Sequence, residues 1–197
     1  MAEAAAPDEF LDWWFNPGMR DGAVSPLSMR LGYRLWCGEH GVRPDFPTAS
    51  DSGWQRFAGC DAGELLSAAR LYGSLLAARE GWHGVLAHLT AGERRWSLAT
   101  AAIQPLARLC APGGDLQCDG LRELACAMEA GFPGMWDRLR LSLPGDMAAD
   151  AGAALTGFIL RGMVPGAASG AAARRRLRCW GLCLEQARTI RLQGEAA

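Results

Sequence analysis

The chain has 197 residues, 50% of them hydrophobic and 21% charged, enough to bury one sizeable core or a core with a small lobe. A formal net charge of −1 excludes a general attraction to nucleic acid or anionic lipid. All 20 basic residues are arginine, a forked and weakly hydrated donor suited to protein interfaces.

Residues 1–8 are expected as a frayed tail; they lack the basic and apolar regions of a secretory signal, which suggests a cytosolic protein. Phe10, Leu11, Trp13, Trp14 and Phe15 form a dense apolar cluster behind it. Ser25-Pro26 is a helix start, because the hydroxyl accepts from first-turn amides and proline loses nothing at the first helical position. That helix is expected to pass Trp36 and stop at Gly38 or Gly41, followed by a loop over 43–53.

Asp61-Ala-Gly-Glu64 has the spacing of a capping box and opens a helix with apolar positions 65, 66, 69, 72, 75 and 76. Trp82, Val85, Leu86 and Leu89 predict a shorter helix beyond Gly81. Thr90-Ala-Gly-Glu93 is a second box, opening a helix through Ile103 and Leu106 that Pro105 should kink. A helix over roughly 116–130 follows the break at 111–115.

The alternation Arg138-Leu139-Arg140-Leu141 has the period of a strand, but it has no partner strand. It is expected either to continue a helix or to lie extended against the bundle. Asp146 can cap a helix over about 147–162, whose charges at Asp150 and Arg161 exclude a membrane span. After a break at 165–170, a last helix over 171–192 carries apolar positions 177, 180, 184, 187 and 190. These elements predict an all-α fold: one irregular helical domain of about seven helices over 9–193, with a short tail at 194–197.

No side-chain constellation announces a reaction. His83 and His88 are five apart and face differently on a helix, with His40 the third imidazole, so no metal ligand is expected. Seven scattered cysteines, including Cys179 and Cys183 at i, i+4, read as reduced packing residues. Nucleophile elbows, phosphate loops and dinucleotide fingerprints are missing, and Asp115, Asp119, Glu123 and Glu129 read as caps or solvated helix positions. The sharpest charged feature is Arg174-Arg175-Arg176-Leu177-Arg178, which suits an acidic protein partner or a solvated helix face. Two other readings stay open: a small helical enzyme or metal protein, and a nucleic-acid or regulatory module using this patch. Of the adjacent Trp13 and Trp14, one is expected at a surface.

From Gly120 to Pro144 the order of elements is unusual. A helix passes Ala127-Met128-Glu129, then come Pro133 and Trp136, and the segment closes as Arg138-Leu139-Arg140-Leu141-Ser142-Leu143-Pro144. This order resembles the SctK (YscK-type) proteins of bacterial type III secretion systems. Phe15-Asn16-Pro17 is similar to the Phe-x-Pro element that opens the family's first region, and the leucine-rich runs at 65–76 and 82–89, with Ile103-Gln104-Pro105-Leu106, follow its middle helices.

The resemblance implies a non-enzymatic adaptor of the sorting platform beneath the injectisome, with no cofactor. Such an adaptor sits at the cytoplasmic face of the inner membrane and holds it only through protein contacts. It links the cytoplasmic domain of the ring protein SctD to SctQ, which carries SctL and the ATPase SctN. Phe15, Pro17, Trp136, Arg138 and Arg140 match the family pattern as candidate contact residues, with both arginines expected to be exposed. Arg174, Arg175 and Arg178 are added on charge alone.

Overall fold

The computed structural model describes residues 7–15, 26–162 and 170–195. Its helices are α1 (Pro7–Phe15), α2 (Pro26–His40), α3 (Ala62–Glu80), α4 (His83–Leu86), α5 (Ala91–Ile103), α6 (Leu116–Gly131), α7 (Met135–Leu139), α8 (Gly145–Leu160) and α9 (Gly170–Glu195). Short 3-10 segments cover Ser52–Phe57 and Arg140–Ser142, and no strand occurs among the described residues. The fold is all-α. Helix α1 already includes residues 7 and 8, and α9 runs to Glu195, so both expected tails are trimmed by helix.

Local chemistry sets the helix ends. Thr90 and Glu93 form a complete capping box at α5. At α3 only half of the expected box is made: Asp61 accepts from the Glu64 amide at 2.8 Å, while the Glu64 carboxylate is taken by Arg188 of α9 at 3.2 Å. Pro105 ends α5 at Ile103 instead of kinking it. Gln104 precedes the proline and adopts an extended conformation, as steric clash with the ring requires. Asp146 lies in the first turn of α8, where it complements the helix dipole, and Pro144 takes the cap position it was expected to fill.

Helix α3 is the axis of the core. Residues 71–77 are buried without interruption, so the helix is enclosed on all sides by α5, α6 and α9. The α3–α6 crossing is close because it has no β-carbon at two points. A Cβ on Gly73 would lie 2.0 Å from the Leu116 carbonyl oxygen, and one on Gly120 would lie 1.9 Å from that of Ala69. On its other side α6 packs against α8. Across α3, Tyr72 stacks on Trp180 of α9 with centroids 4.0 Å apart and planes inclined by 5°.

A chain of charges ties the periphery to this core. Arg108 pairs with Glu80 at 2.8 Å and with buried Asp119 at 2.9 Å, and Arg122 pairs with Asp150 of α8 at 2.6 Å. Asp119 also accepts from the Gly113 amide, which fixes the loop before α6. Asp115 caps α6 as expected, whereas Asp119, Glu123 and Glu129 are buried and not solvated. Glu123 accepts from the Leu109 and Cys110 amides, and Glu129 receives Arg43, which reaches it from the surface.

Candidate partner-binding groove

The candidate residues fall into two separate regions. The first surrounds α7. Gly134, at φ +86°, reverses the chain after α6 and lets Met135 start a new helix, so the Arg138–Leu143 alternation is helical and not extended. Trp136 is 1% exposed. Arg138, expected at the surface, is 4% exposed. Its helix turns inward, where the guanidinium donates to the carbonyls of Trp14 (3.1 Å), Gly134 (3.0 Å) and Arg43 (2.9 Å) and to the Tyr33 hydroxyl (2.5 Å).

Those four acceptors belong to α1, the turn before α7, the loop after α2, and α2 itself. Arg138 is therefore an internal staple. Burial lowers its pKa and pushes that of Tyr33 up to about 12, without removing the guanidinium charge. Arg140 is half-buried and donates to the His40 and Gly41 carbonyls at 2.6 and 3.2 Å, closing the C-terminus of α2. Arg43 grips Glu129 with two nitrogens and Asp137 with the third. Phe15 is exposed and meets Tyr33 edge-on at 5.5 Å. Pro17 lies outside the described residues. Of the tryptophan pair, Trp14 is fully buried and Trp13 half-buried.

The second region lies along α9. The helix buries Leu177, Trp180, Leu184 and Ala187 against α3, and Ile190 is partly buried. Within the arginine run the side chains divide. Arg174 and Arg178 are exposed and Arg175 half-buried on one side; Arg176 lies on the other, beside Trp54 and Gly131 at a separate cavity of about 250 Å³. Burial pushes Glu123 up to about 7, against the Leu109 and Cys110 amides and the positive charges of Arg176 and Arg108.

Arg174, Arg175 and Arg178 line an open groove of about 920 Å³ with Arg56, Ile103, Pro105, Leu182, Asp51 and Glu185. Arg56 comes from the first 3-10 segment, its Nε donating to the Gly53 carbonyl at 2.9 Å. It can lie across α9 because Gly181 has no side chain: a Cβ there would meet its Nη1 at 2.5 Å. Ile103 is 74% exposed at the end of α5 and Leu182 is 39% exposed on α9.

Six arginines outside the groove, Arg43, Arg70, Arg108, Arg122, Arg188 and Arg191, each pair with a carboxylate. Among the described residues, none of Arg56, Arg174, Arg175 and Arg178 forms an ion pair. The groove thus offers several uncompensated planar donors beside exposed apolar side chains, the composition of an interface anchor. Charge in the sequence located Arg174, Arg175 and Arg178, while Arg56, Ile103 and Leu182 carried no local signal.

No family model, characterised protein or solved structure gives a significant match to this chain. Among the described residues no cluster of His, Cys, Asp and Glu is arranged to hold a metal ion. None of their helices is long and apolar enough to cross a membrane.

Proposed function

We propose that the protein is a non-enzymatic adaptor of a type III secretion sorting platform, similar to SctK. In this reading it joins the cytoplasmic domain of an SctD-type ring protein to an SctQ-type pod protein, and through it SctL and the SctN ATPase, at the cytoplasmic face of the inner membrane. The observation that carries the reading is the groove along α9, where unpaired arginines stand beside exposed Ile103 and Leu182. The order of motifs from Gly120 to Pro144 supplies the identity of the partners.

An adaptor acts by geometry, holding two docking faces at a fixed separation. The buried α3–α6 crossing and the interior staple at Arg138 suit that task, because they leave a stiff body between faces. Co-purification from cells producing the protein with candidate ring and pod proteins tests the proposal. Both partners are expected to be retained, and Arg174→Glu/Arg175→Glu is expected to release one of them. Retention of neither partner by the well-folded protein would overturn the reading.

A further inference from the structure

The groove on α9 constrains what can fill it. Four guanidinium groups face two carboxylates, so the lining is net positive but not uniformly so. Neither carboxylate forms an ion pair among the described residues: Asp51 Oδ1 accepts from the Gly53 amide, and Glu185 is carried by α9 beside the arginines. A continuous polyanion would meet these acids, whereas a chain of discrete acidic residues can place its charges on the arginines alone.

The apolar components add a second constraint. Ile103 and Leu182 stand exposed at the lining, with Pro105 between α5 and the loop, so an occupant gains by burying apolar side chains as well as by pairing charge. The described residues include no strand edge that could extend an incoming peptide by sheet pairing, and the groove walls are helices and turns. Helix-in-groove recognition suits this surface, because an amphipathic helix sets an apolar stripe and flanking charges side by side, as the lining does.

We infer that the groove binds an acidic amphipathic helix of a protein partner, its apolar stripe on Ile103 and Leu182 and its carboxylates on Arg56, Arg174, Arg175 and Arg178. This inference rests on the adaptor reading and names the chemistry of one of its two docking faces. Bidentate guanidinium–carboxylate pairs give the contact its orientation, and the apolar contacts make it more than salt-screened attraction.

The test uses a fluorescent Glu/Leu peptide of about 15 residues, long enough to form a helix, with leucines at i, i+3, i+4 and i+7. A peptide of the same composition without the stripe, a Lys/Leu counterpart, a single-stranded oligonucleotide and phosphatidylserine vesicles are compared with it. The Glu/Leu helix is expected to bind best. Affinity should fall at least about tenfold in Arg174→Glu/Arg178→Glu and in Ile103→Asp, as for loss of an interface anchor.

Because these side chains are exposed, the variants are expected to unfold at the wild-type temperature. The double charge reversal should also gain affinity for the Lys/Leu peptide, which a misfolded surface could not do. Equal binding of the unstriped peptide, tighter binding of oligonucleotide or vesicles, or no binding of the Glu/Leu helix would each overturn the inference. Failure here with ring and pod proteins still retained removes the groove assignment alone. Peptide binding without either partner removes the adaptor reading and leaves the groove.

Discussion

The Arg138 guanidinium lies over the Trp14 indole, 3.6 Å from its ring centroid, and its Nε donates to the Trp14 carbonyl. A cation with no carboxylate at ion-pair distance among the described residues is thus held inside the protein by backbone dipoles, one hydroxyl and an aromatic face.

Replacing Arg138 with methionine keeps much of its bulk but orphans the acceptors it serves. The variant is expected to lose about 2–4 kcal/mol of stability in urea unfolding. Amide exchange should accelerate first over α1 and the loop after α2. Arg138→Lys should also destabilise, because one ammonium cannot reach acceptors spread around a planar fork. Losses below about 0.5 kcal/mol, within the range of an ordinary surface substitution, would contradict the staple.

Two glycine substitutions should move in opposite directions. Gly120→Ala drives a methyl group into the Ala69 carbonyl and must separate α3 from α6, at a cost of about 2–3 kcal/mol or more. At Gly152 in α8 a Cβ meets nothing within 4 Å, so alanine should raise stability by about 0.5–1 kcal/mol. Paired thermal unfolding of the two variants checks both signs.

Thr90→Ala removes the hydroxyl that accepts from the Glu93 amide and breaks the capping box of α5. A loss of about 1 kcal/mol is expected in chemical unfolding.

Stability should also depend on pH through Glu123. Its pKa is raised from 4.5 to about 7 in the folded state, so the folded chain holds a proton that the unfolded chain releases. The stabilisation this represents, on the order of 3 kcal/mol, is fully present below about pH 4.5 and is lost as pH rises through 7. Asp61 and Asp150 are shifted downward, so their contributions are lost only as pH falls through the ordinary carboxylate range and below. Unfolding at a series of pH values should show a decline between 4.5 and 7 that Glu123→Gln flattens. An unchanged slope in that variant would assign the titration elsewhere.

Much of the backbone was legible because its determinants are local. Asp61, Thr90 and Asp115 cap helices by contacts within three residues, and Gly81 ends α3 at φ +76°. The segment after Pro133 was ambiguous, since the period of its side chains suits a strand while the positive φ of Gly134 restarts a helix. The burial of Arg138 had no local signal at all. It depends on carbonyls of residues 14, 43 and 134 converging, which only the assembled fold brings about. The groove was half legible: the charge of the α9 run is visible in the chain, but Arg56 and Ile103 reach it from two other elements.

The bridging measurement tests the central claim most directly. Purified ring cytoplasmic domain and pod protein are mixed at fixed concentration, with and without this protein, and their co-elution is followed by size-exclusion chromatography with light scattering. The account predicts one ternary species that forms only when the folded protein is present. Ring and pod proteins that elute apart from a well-folded chain, whatever its concentration, would contradict it.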